Sequence, residues 1–410
     1  MEISASSLTW LDFSERDKRR ANQVIDLFRE TGTMDELGVA TVRQCYSNFF
    51  FPGTSTIQTR ACYFLLVPWT FRRMENERVP SGRAEEWTRN TELYLNRKLR
   101  ECEDNQGVFG GRAGNALKRL PSEIYWGGLW SWGIRLYPGY MQTYFRSLDG
   151  FYQGRAYSKR MGRDDPEGKT APPSNWHPNL PDPPPGFPRN MTTKLRKEDA
   201  EYLRDRIQAR HPQSLLAVLA GRANPDDLEK GWPWDHAKLS EVSKDLREQL
   251  YNARLFSISI QGAALLYNLM LSELRENDDW IEHYQGDLAE WAKKWGSEID
   301  DLGAGFKDWK PDGVWRFVSR QGVRLGYPTR RFVEDWVQEL HRNGPEAITD
   351  AGSKARELVR NREISLKRNR SRFKSKRHLE RWGGESGTGR LDFRHWAAKR
   401  ILRDIFEGLE

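Results

Sequence analysis

Cysteine is scarce: Cys45, Cys62 and Cys102 are an odd number at spacings of 17 and 40 residues, with no C-x-x-C pair among 410 residues. Neither a disulfide framework nor a structural zinc site is expected from that pattern, and free thiols of this kind tend to be buried. Long apolar runs are missing as well. The longest one that could suggest a membrane segment, Phe64-Leu65-Leu66-Val67-Pro68-Trp69, falls far short of the roughly 20 residues that span a bilayer. The start, Met1-Glu2-Ile3-Ser4, has neither the basic region nor the apolar stretch of a secretory signal. A cytoplasmic protein without membrane contact is the expectation.

Catalytic signatures are absent too. The seven histidines, at 177, 211, 236, 283, 341, 378 and 395, form no H-E-x-x-H and no metal-ligand spacing, and no serine stands in G-x-S-x-G. Three partial matches fail on their chemistry. Gly384-Glu385-Ser386-Gly387-Thr388-Gly389-Arg390 approaches a phosphate-cradling P-loop, but Arg390 replaces the lysine and Leu391 the hydroxyl that would bind Mg²⁺. Gly383 and Gly384 suit the end of a helix better. Asp164-Asp165-Pro166-Glu167-Gly168-Lys169 has the acids and lysine of a metal-dependent nuclease in a polar run with no sheet to hold them around one ion. His236-Ala237-Lys238 opens an H-x-K site in which Ser243 occupies the place of the required aspartate. No catalytic residue, metal ligand or cofactor is assigned. Distant residues can still converge, so a nuclease or nucleotide-dependent effector enzyme stands as a second reading.

What the chain does have is a local excess of positive charge. The net charge is +8, yet residues 354–381 alone hold 12 Lys and Arg against 3 acids, leaving 54 basic and 55 acidic residues elsewhere. The densest part is Lys367-Arg368-Asn369-Arg370-Ser371-Arg372-Phe373-Lys374-Ser375-Lys376-Arg377. As an extended segment it would line up the side chains at 368, 370, 372, 374 and 376 on one face at intervals of ~6.6 Å. As part of a helix over 353–382 it would keep a narrow apolar seam of Val359, Leu366 and Phe373. Either geometry concentrates potential where counterion release drives binding to DNA or RNA. Lys367, Arg368, Arg370, Arg372, Lys374, Lys376 and Arg377 are therefore the candidate nucleic-acid contacts. The alternatives are a solvated helix that packs by its seam and answers acidic patches elsewhere in the fold, and a scaffold whose basic stretch contacts an acidic partner protein.

Nine of the 25 residues over 166–190 are proline, which excludes a helix or inner strand and predicts a semi-rigid connector. Asn175-Trp176-His177-Pro178 and Gly186-Phe187-Pro188 predict that it lies against a folded surface, because a free linker has little use for large aromatics. The expected organisation is mainly α: a helical domain over 1–160, a connector over 161–192 and a second helical domain over 193–410. Helices are predicted over 14–30, from a capping box at Ser55-Thr56-Ile57-Gln58 until Pro68 ends or kinks it, and over 83–103. Beyond the connector they are predicted over 197–210, 212–220, within 237–276 with residues 260–271 at the centre of a core, and over 392–406. Ile281, Tyr284, Leu288, Trp291 and Trp295 form one amphipathic stripe, and Phe332, Val333, Trp336, Val337 and Leu340 another.

Residues 109–135 fit two short helices around a proline turn, compatible with a helix-turn-helix or winged-helix element. Of the 17 tryptophans, most read as core. Trp126, Trp130 and Trp132 beside Arg135 are the candidates for stacking on nucleobases.

Trp10-Leu11-Asp12-Phe13-Ser14, Phe51-Pro52-Gly53-Thr54-Ser55, Leu120-Pro121-Ser122, Trp132-Gly133-Ile134-Arg135, Tyr267-Asn268-Leu269-Met270-Leu271 and Leu391-Asp392-Phe393-Arg394 span the chain. In them the sequence resembles an uncharacterised family of bacterial proteins encoded beside helicases and phospholipase D-like nucleases in antiphage defence islands. The resemblance implies a subunit of a multi-protein defence system with a helicase or nuclease partner, and it carries over no functional residue. Together with the charge, it makes a non-catalytic nucleic-acid-binding subunit the leading expectation.

Overall fold

A computed structural model describes residues 36–110, 117–164, 174–222, 228, 231–236, 242–302 and 309–410. The chain is mainly α, 65% helical, with no strand among the described residues. In order the helices are α1 (Ala40–Phe50), α2 (Tyr63–Asn76), α3 (Ala84–Arg100), α4 (Pro121–Ser131), α5 (Met141–Asp164), α6 (Lys197–Arg210) and α7 (Leu215–Arg222). There follow α8 (Lys244–Leu274), α9 (Asp278–Leu302), α10 (Asp312–Arg320), α11 (Tyr327–Asn343), α12 (Lys354–Lys367), α13 (Lys376–Glu380) and α14 (His395–Leu409). The helix expected over 14–30 and the acidic run over 165–169 lie outside the described residues.

Two compact units emerge, both discontinuous: Met1–Tyr46 with Arg247–Leu391, and Ser47–Leu246 with Asp392–Glu410. This division has other bounds than the one expected at the connector, whose described residues 174–192 lie within the second unit.

In the first unit α8 is the central element. Ile258, Leu265, Leu266, Leu269 and Leu271 are buried on all its sides, which fits a helix apolar nearly all round. By length and composition α8 is also the one described helix that could cross a membrane, but 89% of its apolar window is buried inside the protein. The two stripes pack as their spacing predicts. Tyr284, Leu288, Trp291 and Trp295 of α9 and Phe332, Val333, Trp336, Val337 and Leu340 of α11 are all buried. The indole N–H of Trp291 donates to the Ile258 carbonyl at 2.8 Å and that of Trp336 to the Ser259 carbonyl at 2.8 Å, so each ring is satisfied as well as buried. Gly262 permits this approach, since a Cβ there would stand 2.3 Å from the Trp291 ring.

The second unit is tied by polar groups that few sequence signals foretell. Arg60 donates from Nε to both Asp404 oxygens at 3.0 Å and from Nη2 to Asp104 at 2.6 Å, fixing α14 to the loop before α2. The Ser55 capping box closes only a turn, in which Gln58 accepts from the Ser55 amide at 3.0 Å. The helix starts later, at Tyr63, and runs through Pro68 to Asn76. Glu75 of that helix accepts from the Tyr144 hydroxyl at 2.7 Å and from Asn175 and the Trp176 indole at 3.0 Å each. Burial raises its carboxyl pKa. These bonds seat the connector, with Trp176 2% exposed, as the aromatics within it predict. Of the two helices expected over 109–135, the described residues show one, α4, whose Tyr125, Trp126 and Leu129 are buried; residues 111–116 lie outside them. Cys45 and Cys62 are buried and Cys102 half-buried, all free.

His236 and His395 meet in this unit through their Nε2 atoms at 2.8 Å. Burial, the neighbouring His236 and Lys399 together pull His395 down from 6.5 to about 3. The folded ring thus stays neutral where the unfolded one takes up a proton, so its contribution to stability is present above about pH 6.5 and is lost as the pH falls towards 3. Acidification from pH 7 to 5 should cost the wild type about 2 kcal/mol more than His395→Gln. Urea midpoints at the two pH values measure this, and parallel losses in both proteins would show that the histidine is not held neutral.

Candidate nucleic-acid interface

The basic segment is neither one strand nor one helix. Ser353 caps α12 by accepting from the Arg356 amide, and the Arg356 guanidinium grips both oxygens of Glu273 in α8 at 2.6 and 2.8 Å. The helix ends at Arg368, whose φ of 53° and ψ of −117° no helix tolerates. A 3₁₀ turn over Arg368–Arg370, an irregular stretch and the short α13 follow. Of the apolar seam, Val359 is fully buried whereas Leu366 stays 40% exposed.

What fixes this path is a buried cluster of opposite charges. Glu363 of α12, with no exposed surface, accepts from the Ser371 hydroxyl, from the Arg372 amide at 2.9 Å and from Lys367 at 3.2 Å. Glu36, 5% exposed, takes Lys367 and, at 2.8 Å, Arg372. The Arg372 guanidinium also reaches the Tyr267 hydroxyl at 2.8 Å and Ser386 at 3.1 Å. Burial is the main cause that drives the Tyr267 phenol pKa far up, so it serves as a neutral partner. Two buried carboxylates thus neutralise the buried Arg372 and the half-buried Lys367. That arrangement is sustainable only because the remaining lone pairs and protons are met by Ser371, Tyr267 and Ser386.

The seven candidate contacts are therefore sorted into two groups. Lys367 and Arg372 are spent on Glu36 and Glu363. Arg368, Arg370, Lys374, Lys376 and Arg377 are exposed, and none has an ion-pair partner among the described residues. Alongside the first two lies an open groove of about 610 Å³, bounded by Pro328 and Thr329 in the first turn of α11 and by Ser365, Leu366, Arg368 and Arg370. Among the described residues no carboxylate lines it, and the positive end of the α11 dipole adds to its field.

The tryptophan candidates are positioned otherwise. Trp132 is fully buried, stacked on Phe64 with centroids 3.8 Å apart, and donates to the Pro52 carbonyl at 2.9 Å. Trp126 is 5% exposed and donates to the Gly139 carbonyl at 3.1 Å. Arg135 lies over Trp126 and Trp130, 4.3 and 5.1 Å from their centroids; burial lowers it to about 9, leaving it charged at neutral pH. Two of the three rings are core, and only Trp130 keeps partial exposure. Among the described residues no group of three or more His, Cys, Asp or Glu could hold a metal ion.

Glu36, Tyr267 and Ser386 had no signal in the sequence, Glu36 lying 331 residues from Lys367. Only the i, i+4 spacing of Glu363 and Lys367 was legible. Glu363→Gln, which leaves Lys367 and Arg372 to share the single carboxylate of Glu36 and weakens the buried acceptor of the Ser371 hydroxyl and Arg372 amide, should cost about 3 kcal/mol in chemical denaturation. Arg368→Gly relieves a left-handed backbone angle and should stabilise by about 1 kcal/mol. A neutral Glu363→Gln would show that the cluster does not hold the segment.

No curated protein and no solved structure matches the chain. A family model described as a family of unknown function matches residues 5–408. Because that match takes in the cluster, the groove and both units, the chain belongs to the family of unknown function DUF6361.

Proposed function

We propose that the protein binds the sugar-phosphate backbone of DNA or RNA through Arg368, Arg370, Lys374, Lys376 and Arg377. The observation that carries this reading is the sorting of the basic segment: five cations are exposed with no acidic partner among the described residues, while Lys367 and Arg372 of the same segment are pinned by ion pairs to Glu36. Held on a fixed surface, such cations release condensed counterions from a phosphate backbone with little ordering cost. The contacts are to phosphate, so they position a strand without reading its sequence. In the setting that the sequence resemblance suggests, the protein is a non-catalytic subunit of an antiphage defence system that brings nucleic acid to a helicase or nuclease.

Replacing the five exposed cations by alanine, with Lys367 and Arg372 kept, should leave stability nearly unchanged. It should also flatten the dependence of log affinity on log salt by about 4.5 for duplex DNA, at about 0.9 per phosphate contact. Anisotropy of a labelled 20-base-pair duplex between 50 and 200 mM salt reads both affinity and slope. Identical slopes for the two proteins would remove the proposal.

A further inference from the structure

The second unit holds a groove of about 800 Å³ between α3 and the end of the proline-rich connector. Along α3, Trp87, Asn90, Thr91 and Tyr94 follow one another at i, i+3, i+4 and i+7, so they share one face. The two rings stand ~10.5 Å apart along the helix axis, at 1.5 Å per residue. The facing wall is Phe187 and Arg189. It is not a loose strand, because Phe187 packs edge-on against Trp69 with centroids 6.0 Å apart and the Trp69 indole donates to the Pro181 carbonyl at 2.7 Å. Arg73 closes one end, 5.7 Å above the Trp87 centroid, and pairs with Glu77. Arg189 is exposed and has no ion-pair partner among the described residues. Among the described residues no carboxylate lines the groove.

Half-exposed aromatic faces, a side-chain amide and a hydroxyl between them, and guanidinium groups at the margin are the three components that recognise a nucleotide: a platform for the base, partners for its edge and cations for its phosphate. We infer that this groove binds two or three unpaired nucleotides of a single strand, stacking bases on Trp87 and Tyr94 with Arg189 on the phosphate. A groove of aromatics alone would suit a proline-rich peptide equally well. Arg189, exposed and without an ion pair among the described residues, favours an anionic chain over a neutral one. Base pairing hides the faces that this groove would use, so a duplex is excluded from it. The site lies in another unit from the basic segment and does not depend on that segment binding anything.

The test therefore uses the full chain with the five exposed cations of the basic segment already changed to alanine. Anisotropy of 5′-labelled dT10 should show binding that unlabelled dT10 displaces and a 10-base-pair duplex does not. Tyr94→Ala and Arg189→Ala should each weaken it at least fivefold, with unchanged circular dichroism. Because Arg189 is exposed, its variant remains informative if Tyr94→Ala fails to fold. Affinities unchanged in Arg189→Ala, displacement by the duplex as efficient as by dT10, or no dT10 binding beside capture of a labelled proline-rich decapeptide would each overturn the inference.

Discussion

Glu36 and Glu363 decide what the basic segment can do. A run of seven cations in eleven residues repels itself, and left alone it would behave as a solvated tail. Here two of the cations, Arg372 buried and Lys367 half-buried, are drawn into a cluster with two buried carboxylates, a phenol and two hydroxyls. Removing any one charged member leaves the others buried without compensation, which makes the cluster a strong determinant of the local path even where its net contribution to stability is small. The chain must then turn at Arg368, leaving exposed side chains on both sides of Arg372. The order of the surface charges is thus a consequence of where their neighbours are neutralised.

The same logic, polar groups fixing irregular backbone, recurs in the second unit. Arg60 bridges Asp104 and Asp404, and Glu75 collects three donors from α5 and the connector. Irregular backbone carries unpaired amides and carbonyls that must be met, and side chains of this kind meet them. Because the connector is held, Phe187 and Arg189 are presented at a fixed place beside α3. A nucleic-acid-binding reading of that groove and of the basic segment rests on different residues in different units, and each stands on its own geometry.

Periodicity made the helices legible because it reports a physical requirement, the burial of one face. The stripe ending in Leu340 is buried throughout and the one ending in Trp295 from Tyr284 onward, Ile281 staying half-buried, and the apolar length of α8 is buried as well. Local signals misled where a side chain found a different partner. Gln58 closes a turn instead of capping a helix, and Pro68 sits inside α2, its neighbours Leu66 and Trp69 buried on either side. The charge excess marked out the basic segment, but it could not tell an exposed cation from one paired with a carboxylate. That distinction depends on Glu36, Tyr267 and Ser386, which approach from remote parts of the chain. Trp126 and Trp132 show the converse: aromatic density beside an arginine resembles a binding platform and is satisfied internally by Phe64, Arg135 and two carbonyls.

The account's central claim, that burial sorts this segment into spent and free cations, is open to a direct chemical measurement. Brief acetylation of the native protein followed by mass spectrometry of its peptides compares Lys367 with Lys374 and Lys376, which share one solvent, one reagent and one stretch of chain. Ion-paired Lys367 should react at least tenfold more slowly than the other two. Equal rates at all three would place Lys367 in solvent and contradict the cluster from which the rest is derived.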